Sequence, residues 1–278
     1  MSSEILILGK KGFLASHLIS FFFKKKVNFL SLGSDDIDLT TEQSAIKLAS
    51  IKKKYSIIFC SAITPDKGKD EFCYLKNVNM IVNFFKYFKK ENISHFYYIS
   101  SDAVYNLKNE VINEVTPADP SDLYGLMHLT REKICSNHIS ESNLTIIRMT
   151  LVYGVGDTHN SYGPNRFAKD ILEKNQINLF NHGQDTRDFI HISDVVNIIL
   201  FFIKNKINGM FNLATGKSYK FINIATMLRK ISDNEIKIVK VFNNSKVTNR
   251  RFLIKKLKSQ LIDYKFSNIK NNFSKYFQ

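Results

Sequence analysis

Ile5-Leu6-Ile7-Leu8-Gly9-Lys10-Lys11-Gly12-Phe13-Leu14-Ala15 is the stretch on which the fold turns. Its four leading apolar residues read as a short buried strand, and the apolar spacing from Ala15 to Lys24 reads as a helix. Between the two, Gly9, Gly12 and Ala15 stand at three-residue spacing. A glycine at 9 permits a tight turn, one at 12 lets backbone approach a pyrophosphate, and a small residue at 15 lets the helix pack close to the strand. Free N–H groups at a helix start suit phosphate oxygens. The loop therefore predicts a bound dinucleotide.

Outward from this loop, strand and helix patterns alternate. Strands are expected at Val27–Leu32, Tyr55–Cys60, Phe96–Ser100 and Leu144–Arg148, with helices at Thr41–Lys53, Phe72–Lys90 and Leu123–Asn137. Such alternation argues for an α/β fold, a doubly wound parallel sheet covered on both faces. The pattern changes after Tyr153. Helices are expected at Arg166–Lys174, Ile192–Ile203, Phe221–Lys230 and Phe252–Leu261, and strands at Gly209–Leu213 and Ile236–Val241. These pieces read as too scattered for an independent core. The expected organisation is a dinucleotide-binding domain over 1–153, with short returns from the later chain. Residues 154–278 would form a smaller C-terminal substrate-binding lobe and a basic tail, with a cleft between the lobes.

The chain has 278 residues, 44% of them hydrophobic and 13% aromatic, enough for a full core without disulfides. Cys60, Cys73 and Cys135 are far apart, which fits a reducing compartment. The chain opens directly into a strand pattern, and no apolar run reaches membrane-spanning length. A cytoplasmic protein with no membrane span is expected. The formal net charge of +15 admits nucleic acid, an anionic surface or an anionic small substrate. The excess is mostly lysine spread along the whole chain, which reads as a solvated surface, so no nucleic-acid partner is expected. No His, Cys or acidic residues show metal-ligand spacing, and no metal is expected.

Several ordered motifs go beyond the glycine loop. They are Asp38-Leu39-Thr40, Asn77-Val78-Asn79, Ser100-Ser101-Asp102-Ala103-Val104-Tyr105, Tyr124-Gly125 and Arg148-x-x-x-Val152-Tyr153-Gly154. Arg187-Asp188-Phe189-Ile190-His191-x-x-Asp194-Val195 and Asn212-Leu213-Ala214-Thr215-Gly216 follow. In this series the chain resembles the extended short-chain dehydrogenase/reductases, the NAD-dependent epimerase/dehydratase family, over residues 4 to 262. The resemblance implies a Rossmann-like sheet, a nicotinamide cofactor, a nucleotide-sugar substrate and a homodimer built on Phe72–Lys90 and Leu123–Asn137.

The family's catalytic trio maps onto Ser101, Tyr124 and a third position four residues later, which here is His128 in place of lysine. A tyrosine passes a proton to or from a sugar oxygen while hydride moves on the nicotinamide. A neighbouring hydroxyl holds that oxygen. His128 is expected to hydrogen-bond the nicotinamide ribose, with a charge that comes and goes near its ordinary pKa of about 6.5. Arg131 and Lys133 are read as lying on other helical registers.

The expected cofactor contacts are Gly9, Lys11, Gly12, Phe13, Leu14, Ser34, Ser61, Ala62 and Asn79, together with Tyr124 and His128. No acid stands directly at the end of the second strand, and Asp35 and Asp36 come late unless a bent loop returns one. Lys10 and Lys11 would meet a 2′-phosphate, which favours NADP over NAD. The expected substrate contacts are Asp102, Arg166, Arg187 and Arg251, because guanidinium forks match phosphate oxygens. Ala103 stands where family dehydratases carry an acid after Asp102, which argues against dehydration. The expected activity is reduction of a 4-keto group on an activated deoxysugar. The alternatives are a nucleotide-sugar epimerase and a catalytically weak cofactor-binding protein that serves as a scaffold.

Overall fold

The computed structural model describes residues 4–157, 162–232, 235–241 and 246–277. The first half runs β1 Glu4–Leu8, α1 Phe13–Lys24, β2 Phe29–Leu32, α2 Glu42–Ala45, β3 Tyr55–Phe59, α3 Glu71–Tyr87, β4 Ile93–Ser101, β5 Val111–Ile112, α4 Leu123–His138 and β6 Leu144–Met149. Then come β7 Leu151–Tyr153, α5 Pro164–Lys174, β8 Gln176–Phe180, β9 Thr186–His191, α6 Ile192–Asn205 and β10 Gly209–Leu213. The chain ends with β11 Ser218–Lys220, α7 Phe221–Ile231, β12 Lys237–Val241, β13 Arg251–Phe252, α8 Lys255–Gln260 and α9 Ile269–Phe273.

The chain divides into two compact units. The first comprises residues 1–106, 117–149 and 196–211. Its sheet has the order β10-β6-β4-β3-β1-β2, with β2, β1, β3, β4 and β6 parallel. The direction of growth reverses between β1 and β3, and in open α/β sheets ligands bind outside the strand carboxyl ends at such a point. Both faces of the sheet are apolar. On one, Leu6, Leu8, Ile57, Phe59, Phe96 and Tyr98 pack with Phe84, Phe88 and Cys135 of the α3–α4 layer. The other is buried too, with Ile5, Ile7, Ile58, Tyr97 and Ile147 all inaccessible or nearly so, and Tyr97 donates to the Phe202 carbonyl of α6. Continuous apolar strands are what two-sided burial requires. The long helices start where the sequence supplies caps: the carboxylate of Asp70 accepts from Cys73 N–H, and that of Asp122 from Gly125 N–H, both at 2.8 Å.

The second unit comprises residues 107–116, 150–195 and 212–278. It has its own apolar core, in which Phe167, Ile171, Ile177, Leu179, Phe189, Ile224 and Leu228 are almost wholly buried. This corrects the expectation of scattered pieces. Two strands that the sequence reading passed over, β8 and β9, fill the space between the expected helices. β8 pairs in parallel with β12, and β9 lies between β7 and β11. Two further expectations change in detail. Thr41–Lys53 is one helical turn followed by a 3₁₀ stretch over Ile46–Ser50, and Phe252 belongs to a strand that pairs with β5 before α8 begins.

Candidate active site

The glycine loop stands as its sequence requires. Gly9 has φ of +95°, and a Cβ there would lie 2.8 Å from the Ser61 nitrogen, so the turn admits no side chain. Gly12 caps α1 in extended conformation. No side chain caps this helix start and its first turn carries no acid, so its N–H donors and positive dipole end are available to an anion. Phe13 and Leu14 are buried behind the loop. Ser61 and Ala62 follow β3 and are half-buried, which places them beside Gly9 at the sheet's switch point. The residues present therefore fit the pyrophosphate half of a dinucleotide.

The ribose end differs from expectation. The loop after β2 bends so that the Asp36 carboxylate returns to the strand end, where it accepts from Gly33 N–H at 2.8 Å. Lys10 lies 2.7 Å from Asp36 and 3.1 Å from Asp35, and Lys11 lies 3.5 Å from Asp35. The lysines expected to meet a 2′-phosphate are thus already matched by carboxylates. The hydrogen bond from Lys10 holds both carboxyls below the usual carboxylate range. Ser34 is exposed beside them. Asn79 is exposed on α3. Asn77, two positions earlier, is the residue that orders the segment after β3. Its side chain accepts from Ile63 N–H at 2.8 Å and donates to the Ile63 and Cys73 carbonyls.

Ser101 ends β4, and Tyr124 opens α4. They come together because residue 125 is glycine: a Cβ there would lie 2.1 Å from the Ala103 carbonyl oxygen. Burial and the Asp102 carboxylate push the pKa of the Tyr124 phenol up to about 12, against the lowering influence of Arg131 and of the neighbouring Ser101 hydroxyl. Ser101 Oγ also accepts from Ala103 N–H at 3.2 Å. Asp102 is half-buried at the same strand end.

His128 packs edge-on against the Tyr124 ring, with ring centres 4.7 Å apart. It is 3% exposed, and its Nδ1 lies 2.8 Å from the Tyr98 hydroxyl. Tyr98 stays protonated because burial raises its pKa well above the ordinary value. With Tyr98 as donor, the remaining imidazole N–H is Nε2, which is buried and has no partner. Burial and the charge of Arg131 push the pKa of His128 well below the usual imidazole range. The expectation of a titration near neutrality is corrected: this imidazole is neutral there.

Arg131 is also corrected. Seven residues after Tyr124, it returns to the same helical face and is 1% exposed. Its Nη2 donates to the Ser61 carbonyl at 2.7 Å. The i+7 spacing was the available signal. Lys133, by contrast, is exposed.

The arginines expected at the substrate belong to the second unit. Arg187 on β9 donates to the carbonyls of Thr186 and Thr248 and to Thr248 Oγ1, at 2.6–2.9 Å. The Thr186 carbonyl accepts from Arg250 N–H at 3.1 Å, which sets exposed Arg251 on the segment beside Arg187. Arg166 lies on α5, with Nε 3.7 Å from Asp170. Asp188 and Asp194 are internal anchors. Asp188 accepts from Thr215 and Gly216, and Asp194 from Tyr264 and Ser267. Among the described residues no group of three or more His, Cys, Asp or Glu is placed to hold a metal, and no helix is long and apolar enough to cross a membrane.

Comparison with known proteins settles the family. A model described as the NAD dependent epimerase/dehydratase family matches residues 5–214. The chain belongs to this family. It is thus a member of an enzyme family built on an NAD(P)-binding fold. A protein named "Uncharacterized UDP-glucose epimerase YtcB", from Bacillus subtilis strain 168, is 25% identical over 264 residues, covering 82% of each chain. GDP-6-deoxy-D-talose 4-dehydrogenase of Aggregatibacter actinomycetemcomitans is 25% identical over 244 residues, 84% of this chain and 82% of that one. Among solved structures, RMD from Pseudomonas aeruginosa complexed with NADPH superposes with a TM-score of 0.85 at 20% identity, covering 99% of this chain and 98% of that one. Helicobacter pylori ADP-L-glycero-D-manno-heptose-6-epimerase superposes with a TM-score of 0.86 at 17% identity, covering 99% and 95%. At these identities the structures establish the fold.

Proposed function

We propose that this protein transfers hydride between NAD(P) and a carbinol carbon of a nucleotide-activated sugar. The observation that carries the reading is the Ser101–Tyr124 pair, closed by Gly125 at the carboxyl end of β4, in the same unit as an uncapped glycine-loop helix. Gly9, Gly12, Phe13 and Leu14 would hold the pyrophosphate, with Ser61 and Ala62 beside it. The nicotinamide supplies the hydride acceptor and donor. Tyr124 takes or gives the proton on the sugar oxygen, and Ser101 holds that oxygen by a hydrogen bond. Arg187 and Arg251 would meet the substrate's phosphates.

Epimerisation is the reading that the relatives favour, since several of the similar proteins are named as epimerases. Reduction of a 4-keto group is the second reading. It is supported by the protonation of Tyr124, which is an acid at neutral pH, and by the named 4-dehydrogenase relative. Exposed Phe72, Leu75 and Val82 on α3 and Leu126 on α4 offer apolar area for a homodimer. The test is a panel of GDP-, UDP-, CDP- and dTDP-sugars with each nicotinamide cofactor. Products are read by NMR and the cofactor by absorbance. An epimerase changes the sugar and leaves the cofactor unconsumed, whereas a reductase consumes one reduced cofactor per turnover. Failure of all four cofactors to bind would overturn both readings.

A further inference from the structure

One buried charge in the first unit is left over once its partners are counted. The guanidinium of Arg131 lies against two aromatic rings, with Cζ 4.9 Å from the centre of Phe59 and 5.4 Å from that of Tyr98. Beyond the Ser61 carbonyl, Nη1 has only the Met127 sulfur at 3.6 Å, and Nε is buried without a partner. The adjacent Glu132 does not neutralise it. One Glu132 oxygen accepts from Ser100 and Arg148 Nε, and the other from Arg148 Nη2. Among the described residues no carboxylate forms an ion pair with Arg131. A buried cation without a counter-ion opposes folding. Its retention makes physical sense where an anion forms beside it during function.

The same helical face provides that anion. Tyr124, His128 and Arg131 stand at i, i+4 and i+7 on α4. Contacts run from the Tyr124 ring to His128, from His128 Nδ1 to the Tyr98 hydroxyl, and from the Tyr98 ring to Arg131. His128 is neutral, so it cannot give the charge that a lysine at its position would give. Other charges face Tyr124 from the neighbouring elements. Asp102 after β4 and Asp122 before α4 oppose ionisation. Lys69 and Asp70, of opposite sign, line the small cavity between α3 and Tyr124. Arg131 is a cation that favours the phenolate.

We propose that Arg131 is a positioning residue: it supplies the fixed positive charge that stabilises the Tyr124 phenolate, with His128 a neutral spacer between them. The proposal rests on the reading of Tyr124 as the proton-transferring residue.

The test places 3,5-difluorotyrosine at position 124 of the full chain and follows its ¹⁹F resonance against pH, without substrate or cofactor. Fluorination makes the phenol more acidic and brings the titration into a range where the fold is stable. Arg131→Met is expected to raise the midpoint by about one pH unit or more, a tenfold loss of phenolate at a given pH. Arg131→Lys, which restores the charge, should recover at least part of that shift. His128→Gln should move the midpoint much less than Arg131→Met does. A residue that served only the packing of α4 would not move a phenol titration in a folded variant. Should Arg131→Met fail to fold, Arg131→Gln carries the same comparison, since it keeps a donor for Ser61 and loses the charge. An unmoved midpoint in the uncharged variant, or an equal shift in His128→Gln, overturns the proposal. Turnover of Tyr124→Phe separates the two readings. If that variant is fully active, the catalytic reading of Tyr124 falls whatever the titration shows. If it is inactive and the titration is unmoved, Arg131 alone is removed.

Discussion

Arg148 on β6 grips Glu132 on α4 through two charge-assisted hydrogen bonds of 2.9 and 2.6 Å, and the two side chains are only 4% and 3% exposed. Ser100 Oγ donates to the same carboxylate at 2.6 Å. The carboxylate therefore ties α4 to β4 and β6 one residue from Ser101 and eight from Tyr124. Tyr105 stacks under the guanidinium, with Cζ 4.9 Å from its ring centre.

Removing one partner leaves the other charge buried and unpaired. Arg148→Met is therefore expected to cost about 3–5 kcal/mol of stability. The double variant Glu132→Leu/Arg148→Met removes both charges and should recover much of the loss. Urea unfolding of the single and double variants checks this. A double variant as unstable as the single would show that packing around the pair, rather than charge, sets the cost.

The glycine loop and the five parallel strands were legible because each rests on local pattern, apolar runs and glycine spacing, whereas Ser101 and Tyr124 were singled out by the resemblance to the family and by nothing local. β8 and β9 were not, because Gln176–Phe180 and Thr186–His191 mix polar and apolar residues and gain their strand identity from pairing with distant segments. The return of Asp36 to the end of β2 was open in the sequence and is decided by a turn in which Asp36 and Ile37 N–H both donate to the Gly33 carbonyl. The i+7 spacing put Arg131 on the Tyr124 face, but its burial was not legible. Arginine seldom lies fully buried without a carboxylate, and nothing local announces that two aromatic rings from β3 and β4 will enclose it.

Acid should weaken the first unit through His95. The Thr145 hydroxyl donates to the Ile207 carbonyl at 2.6 Å, so His95 Nε2–H is the donor to Thr145 Oγ1, at 2.7 Å. Burial, helped by Lys206, lowers the His95 pKa to about 4. The unfolded chain then binds a proton that the folded chain refuses between roughly pH 6.5 and 4. Stability is full above that window and falls as the pH drops through it, by up to about 1.4 kcal/mol per pH unit for this group. His128 acts in the same direction. Urea unfolding at pH 7, 6 and 5 is expected to show a shallower pH slope in His95→Gln than in the parent. Equal slopes would place the His95 proton elsewhere.

Cofactor preference should respond to the acids that hold Lys10 and Lys11. In the parent, Asp35 and Asp36 pair with Lys10, and Asp35 also with Lys11, the two lysines expected to meet a 2′-phosphate. Asp35→Asn/Asp36→Asn frees the cations. The ratio of NADPH to NADH affinity is expected to rise several-fold in that variant and to fall in Lys10→Ala/Lys11→Ala. Fluorescence titration of both reduced cofactors measures it, and a ratio unchanged in both variants would remove this loop from recognition of the ribose.

The direction of proton transfer can be read from the pH dependence of turnover. With a pKa of about 12, Tyr124 is a phenol throughout the working range. Reduction draws on that acid form, so its rate should not fall through loss of the Tyr124 proton below about pH 11. Abstraction of a sugar hydroxyl proton, the first half of an epimerisation, draws on the phenolate. Four pH units below its pKa, at pH 8, the phenolate is about one part in 10⁴, and it rises tenfold per pH unit. An epimerase limited by this step should therefore speed up about tenfold for each unit from pH 7 to 9, while a reductase should stay level. Neither profile should carry a break at pH 6 to 7, because His128 remains neutral there. Tyr124→Phe should lose about 10²–10⁴ in rate by either route. Turnover measured against pH for the parent, Tyr124→Phe and His128→Gln checks all three expectations. A break near pH 6.5 that vanishes in His128→Gln would restore His128 as a titrating partner of Tyr124. A fully active Tyr124→Phe would move the proton transfer to another group.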